Sequence, residues 1–423
     1  MRAIVRGLGA GLLAVSLTAA SVAPALADGP ELTDYLNPGQ PHFRVQLDAA
    51  AAQAREAGAL RAATFNVSLS RGYAGELAQD LSLPGDEHAA AAAEVIQRTN
   101  PDVVLLSDFD YDEDHAAAKS FRANYLEQGQ GGQRPVDYPY LYTAPTNNGI
   151  ATGADLDGNG TVGDAADSFG FGDFPGQHGM VLYSKYPIGQ QDVRTFQRML
   201  WKSMPDNRMP HQRYSPLVRN VLRLNSSTTW DVPVQVDGST VHVIAADAGA
   251  PVDEGGSPQQ GRNADQIRLV SDYVGGGADA AYITDDAGHS GGLAADAPFV
   301  VLGDLDADPS HGDAATGAVR ELLENPALVD PRPASDGAAE TGITRPGQPD
   351  DDEAAAPRLR TSTSDAGALR TDYVLPAAAL PVDGAGVFWP AARQDGRELV
   401  FGDPAPSGNH RLVWVDIDLP DAQ

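Results

Sequence analysis

Phe299-Val-Val-Leu-Gly-Asp-Leu-Asp-Ala-Asp-Pro309 is the stretch that decides the fold. Phe299 to Leu302 is short, apolar and rich in β-branched residues, which reads as a buried strand. Behind Gly303, the carboxylates of Asp304, Asp306 and Asp308 alternate with small or apolar residues until Pro309. Acidic groups set directly after an apolar run are carried to the tip of a strand. Three other segments repeat this design: Thr64-Phe65-Asn66, Leu105-Leu106-Ser107-Asp108-Phe109-Asp110 and Ser407-Gly408-Asn409-His410. Any one alone reads as a turn. Together they predict a shared cleft in which carboxylates hold Mg²⁺ or Mn²⁺ through oxygen and a histidine handles a proton or a phosphate.

Around these tips, further strands are predicted over Ala62 to Val67, Asp102 to Leu106, Gly179 to Tyr183, Trp230 to Val236, Thr240 to Ala245, Asp372 to Leu375 and Arg411 to Ile417. Helical patterns fit Glu87 to Arg98, Asn263 to Val274 and Ala318 to Glu324. Strands and helices mixed in this way imply an α/β or α+β sandwich. The stretches 275–297 and 334–365, the latter with its run Asp350-Asp351-Asp352-Glu353, are poorly patterned and predict mobile surface loops. No internal repeat is present.

The first residues read as an export signal. Arg2 and Arg6 give a positive start, Leu8 to Ala20 an apolar stretch, and Ala25-Leu26-Ala27 a small-x-small cleavage site. The expected product is secreted, with a surface segment over 28–60 and one domain over 61–421. No later apolar run is long enough to span a bilayer. The chain has no cysteine, which excludes disulfides, thiolate metal sites and a cysteine nucleophile. Its formal charge is −29, so it repels polyanions, and weak affinity for nucleic acid is expected. That balance fits cation binding, a salty environment, or a substrate smaller than duplex nucleic acid, and a monomer is expected.

Asp155-Leu-Asp157-Gly-Asn159-Gly160 places oxygen side chains at alternate positions and then a glycine, the front half of an EF-hand-type Ca²⁺ loop. Ala166 stands where the bidentate Glu belongs, so Asp164 or Asp167 would have to close the shell. A solvated Asx-turn without an ion is the competing reading.

In order and spacing these segments resemble the secreted branch of the endonuclease/exonuclease/phosphatase superfamily, the deoxyribonuclease I-like proteins. The resemblance runs from about Arg61 to Leu419. It includes Phe169-Gly-Phe-Gly-Asp-Phe-Pro-Gly-Gln-His-Gly-Met180, Trp230-Asp-Val-Pro233, Arg262-Asn-Ala-Asp-Gln-Ile-Arg268 and Arg370-Thr-Asp-Tyr-Val-Leu-Pro376. It implies an α+β fold, a four-layer α/β/β/α sandwich, and metal-dependent phosphoester hydrolysis by an activated water. By the same resemblance, Asn66 stands near metal and phosphate, Asp304 orients or deprotonates the water, and Asp372 orients the catalytic His410.

Other positions depart from the pattern. Asp108 replaces a metal-ligating Glu, Asp247 a His, Asp306 an Asn that donates to phosphoryl oxygens, and Asn409 a metal-side Asp. Ser227 and Thr229 stand where the resemblance implies Lys and His. Asn to Asp at 306 turns a donor into an acceptor-only anion, and His to Asp at 247 removes a group that protonates near neutral pH. Such losses predict attenuated or altered chemistry. A carboxyl with a raised pKa, or a second metal ion, offers a way around them. Two readings follow: a phosphoesterase of reduced or altered activity, and an inactive relative that binds cations or a ligand in the old cleft.

Overall fold

The computed structural model describes residues 44–45, 59–251, 258–310, 314–341, 357–364 and 367–419. The strands among them are β1 (Arg44–Val45), β2 (Leu60–Leu69), β3 (Val103–Phe109), β4 (Tyr140–Tyr142), β5 (Met180–Ser184), β6 (Arg194–Thr195), β7 (Thr229–Val236), β8 (Ser239–Asp247), β9 (Phe299–Asp304), β10 (Ser362–Ser364), β11 (Gly367–Leu369), β12 (Asp372–Pro376), β13 (Val382–Val387) and β14 (Val413–Ile417). The larger sheet has the order β1-β13-β14-β2-β3-β5-β4 and the smaller β12-β9-β8-β7-β6, while β10 and β11 form a separate hairpin. Both sheets mix parallel pairs, β2 with β3 and β8 with β9, with antiparallel ones.

Strands β2, β3 and β9 are buried along almost their whole length. This explains why they read as apolar runs rather than alternations: each is covered on both faces. The sheets pack with β9 and β12 against β2 and β14, so the strands that end in polar groups are the ones in contact. The helix Glu87–Thr99 covers the outer side of the larger sheet. Asp86 caps it by accepting from Ala89 N at 2.7 Å, and its inward residues are chiefly alanines that allow close approach. The helix Pro258–Gly275 lies on the smaller sheet, where Tyr273 donates to Asp231 of β7 at 2.6 Å. Helix, sheet, sheet, helix is the four-layer sandwich expected.

On the edge away from the strand tips, Arg61 of β2 faces Asp416 of β14 in register. Two 2.7 Å hydrogen bonds join them, and the guanidinium lies 4.1 Å from the Trp414 ring. Both side chains are 1% exposed, so each charge depends on the other.

The expectation for 275–297 needs correction. The segment has no strand or helix beyond its first residue, yet Ala280 and Ile283 are buried in the core and Leu293 nearly so. Asp285 pairs with Arg194 at 2.7 Å, and Asp286 accepts from Thr195, Gln197 and Arg198. The segment is tied down along its length. Of 334–365, Asp336–Glu340 is helical and β10 belongs to the hairpin. The run 350–353 and the expected export signal at 1–27 lie outside the described residues. Among the described residues no helix is long and apolar enough to cross a membrane.

Candidate active site

The sheet ladder itself builds the acidic centre. Asp247 of β8 is the register partner of Asp304 of β9, and Asp304 is the partner of Asp372 of β12. Residues in register on neighbouring strands point to one side, so the three carboxylates form a single rung. From the facing sheet, Asn66 Nδ2 donates to Asp304 Oδ2 at 3.0 Å, while the Asp306 N–H donates to Asp304 Oδ1 at 3.1 Å. His410, just ahead of β14, sets Nδ1 3.0 Å from Asp372 Oδ2 and 3.4 Å from Asp304 Oδ2. Thr361 and Thr371 hydroxyls donate to Asp372 at 2.7 and 3.0 Å, fixing the carboxylate that holds the histidine.

A cleft of about 590 Å³ opens beside this centre. Asn66, Asp108, Asp247, Asp306, Ser227 and His178 line one part of it. Asp304, Asp372 and His410 are not in its lining and are reached through Asn66 and Asp306. Ser68, Asp108, His178 and Asp306 all have φ between 48° and 53°. Asp and His tolerate the left-handed region better than most residues, but each such position still costs on the order of 1 kcal/mol or more. At Asp108 that backbone breaks the alternation of β3 just beyond the Asn66–Ser107 register pair, and its carboxylate joins Asn66 on the cleft.

Electrostatics follow from crowding. Burial together with Asp306 and Asp372 pushes the Asp304 carboxyl well above its usual range. Burial, Asp306 and Asp108 do the same to Asp247. Burial, against the opposing pull of His410 and with Asp372 and Asp108 adding to it, holds Asp306 at about 6. Burial alone would lower His410, but Asp372 and Asp304 raise it to about 10. The centre is therefore a store of protons at neutral pH.

His178 escaped the sequence reading as a site residue, because it sits in a turn rather than behind an apolar run. Its glycine-flanked setting directly before β5, in Gly176-Gln-His-Gly179, was the available signal. Its Nδ1 lies 2.6 Å from Asp108 Oδ1. Asp110, also unassigned beforehand, accepts from the backbone N–H groups of His178 at 3.1 Å and Arg71 at 2.8 Å. Burial opposes charge on both partners of the Asp108–His178 pair, yet the contact lowers the Asp108 pKa and raises that of His178.

One expected residue is not brought in. Asn409 is exposed and outside the cleft lining, because its backbone oxygen is engaged by Thr363 N at 2.9 Å as the chain turns towards β14. Thr229 is buried within β7 and donates to Asn225. Asn66 and Asp108 remain as a hard-oxygen pair. Their chemistry fits Mg²⁺ or Mn²⁺, which accept few protein ligands and keep waters.

In the loop 155–167, carboxylate oxygens of Asp155, Asp157 and Asp167 come within 4.8 Å of one another. Asp167 is the member that closes the group; it is fully buried and accepts from Leu156 N at 2.6 Å and Gly163 N at 2.8 Å. Asp164 instead takes the Asn159 amide at 2.8 Å. The loop abuts the cleft, since Leu156, Asp157 and Ala166 belong to its lining.

Comparison with solved structures gives likenesses of low sequence identity. An endonuclease/exonuclease/phosphatase from Beutenbergia cavernae DSM 12333 is 19% identical, with 85% of this chain and 72% of that one covered and a TM-score of 0.44. Sphingomyelinase C from Streptomyces griseocarneus is 16% identical, with 85% and 99% covered and a TM-score of 0.40. A mannosyl-6-phosphatase from Bacteroides thetaiotaomicron VPI-5482 is 11% identical, with 85% and 99% covered and a TM-score of 0.40. No curated protein matches. The sequence model of the endonuclease/exonuclease/phosphatase family matches residues 63–395. The chain belongs to the endonuclease/exonuclease/phosphatase family.

Proposed function

We propose that the cleft hydrolyses phosphoester bonds in a substrate smaller than duplex nucleic acid, with a divalent metal held by Asn66 and Asp108. The observation that carries this reading is the convergence of Asn66, the Asp306 N–H and His410 on one buried carboxylate, Asp304. Asp304, with its raised pKa, is suited to take the proton of an attacking water. Asp372 holds Nδ1 of His410 and leaves Nε2 as a protonated partner for a phosphoryl or leaving-group oxygen. When bound, the metal offsets phosphoryl charge and acidifies its water.

Turnover on this reading is attenuated. Asp306, and Asp247 once ionised, put negative charge in the cleft, and the two arginines of the lining donate to backbone oxygens. Arg262 donates to the backbone oxygens of Leu224, Phe169, Arg223 and Asn225, and Arg213 to those of Leu156 and Asp157. Ca²⁺ in the loop 155–167 would hold that part of the cleft lining in place. Export follows from residues 1–27, and the charge of −29 argues against a polynucleotide substrate.

The test is hydrolysis of chromogenic phosphate mono- and diesters with Mg²⁺ or Mn²⁺ at low salt. Activity lost in His410→Ala supports the proposal. No turnover with several metals, and none gained in Asp306→Asn with Asp247→His, overturns it. That second outcome, with metal binding retained, is the signature of the inactive cation-binding relative, a reading favoured by the same two aspartates.

A further inference from the structure

Phe171 is 66% exposed, more than any other aromatic ring among the described residues. An exposed ring alone needs no explanation. Here, however, the backbone gives the ring no way to turn in. A Cβ on Gly170 would stand 1.8 Å from the backbone oxygen of Ser226, and one on Gly172 2.8 Å from the backbone nitrogen of Gly149. Gly170 also accepts from Gly149 N at 2.9 Å and donates to Asn147 O at 3.1 Å. Glycine on both sides of Phe171 lets the chain press this close to its neighbours. The ring is set outward by a segment that is fixed on either flank.

Outward here means into the cleft, whose lining Phe171 joins. Its ring centroid lies 6.5 Å from that of His178, and Nδ1 of His178 is 2.6 Å from Asp108. Leu156, Trp201 and Leu222 line the same cleft, and the one polar atom of the Trp201 side chain is taken by Asp265 at 2.7 Å. Both arginines of the lining donate to backbone oxygens. Beyond the carboxylates the wall therefore offers chiefly apolar faces, while Asp306 disfavours further negative charge on whatever enters. An aromatic face of this kind receives a second flat ring in offset or edge contact.

We propose that Phe171 is a specificity-determining residue: its ring receives a flat, uncharged organic group on the phosphate ester, so the cleft prefers aryl and similarly planar esters to those of polyols or puckered rings. This deepens the phosphoesterase reading and rests on it for the place of the phosphate, beside Asn66 and Asp108. The preference for a flat group is a binding claim and needs no turnover.

Three phosphonates of equal charge, none of them hydrolysable, are titrated calorimetrically into the whole protein with Mn²⁺ present: methylphosphonate, cyclohexylmethylphosphonate and benzylphosphonate. Benzylphosphonate should bind about tenfold tighter than methylphosphonate, the size of one aromatic contact with its buried area. It should also bind severalfold tighter than the cyclohexyl compound, which matches its bulk but is puckered. Both advantages should vanish in Phe171→Ala and survive in Phe171→Tyr, with methylphosphonate binding alike in all three proteins. Phe171→Leu, which keeps apolar bulk without an aromatic face, should lose the preference over the cyclohexyl compound. The side chain is exposed, so each variant should melt as the parent does. Equal affinity for the benzyl and cyclohexylmethyl compounds in the parent, a benzyl advantage untouched in Phe171→Ala and Phe171→Leu, or no binding of any of the three overturns the proposal. Failure of the phosphoesterase reading is seen separately, as no ester hydrolysed while the benzyl preference and its dependence on Phe171 remain.

Discussion

Replacing Asp306 by Asn should stabilise the metal-free protein, and by an amount that depends on pH. In the folded chain burial and neighbouring carboxylates hold Asp306 at about 6, against an ordinary value of 3.8. Its folded pKa is raised, so the folded state keeps a proton that the unfolded chain has released. Stability is therefore lost as pH rises from 3.8 through about 6. The full difference corresponds to about 3 kcal/mol above that window. Because the side chain is partly exposed, we discount this to about 1–2 kcal/mol. Asn keeps the shape and removes the ionisation, so the variant should gain that amount at pH 8 in the presence of a chelator. The gain should fall to about half by pH 5 and nearly vanish by pH 4. Thermal melts of both proteins across that range, read by circular dichroism, supply the measurement. A gain of the same size at pH 5 and pH 8 would mean packing, not charge, and would refute the reasoning. A loss of stability at pH 8 would refute it more directly.

Other outcomes follow from the same contacts. His410→Ala should lower kcat on phosphate esters by about 10²–10⁴-fold, with the melting curve still cooperative because Thr361 and Thr371 continue to hold Asp372. Asp167→Asn removes the charge and one of the two oxygens that accept from Leu156 N and Gly163 N and belong to the acidic group of the loop. Ca²⁺ should stabilise the parent by about 2.7 kcal/mol at a hundredfold excess over Kd, seen as a raised melting temperature, and that stabilisation should disappear in the variant. Arg61→Met leaves Asp416 buried without its partner and should cost about 3–5 kcal/mol by denaturant titration, most of it recovered when Asp416→Leu is added. Gly303→Ala would place a Cβ 1.9 Å from the backbone oxygen of Ala246 on the adjacent strand and should cost about 3 kcal/mol or more.

The placement of the cleft residues was legible where it followed strands. Asn66, Asp108, Asp247 and Asp304 end apolar runs, and the strands extend to include each of them. Residues placed by turns and backbone strain were not legible. His178 reaches the cleft through a left-handed turn, which sequence periodicity does not register. Asn409 misled because its neighbour His410 is in the site, while one residue earlier the chain is held outward by its backbone oxygen. The segment 275–297 looked loose because Ala280, Ile283 and Leu293 fall at no regular spacing. Its order comes from Asp285 and Asp286 gripping β6 and the residues after it, a tertiary cause with no local pattern.

The rung of aspartates on β8, β9 and β12 also bears on how this protein could change. Its three side chains are anchored by ladder hydrogen bonds that do not depend on what they carry, so exchanging one alters chemistry without shifting scaffold. A lineage could thus lose a reaction at Asp247 and recover it later by a single codon, with the vacated geometry waiting intact in the meantime.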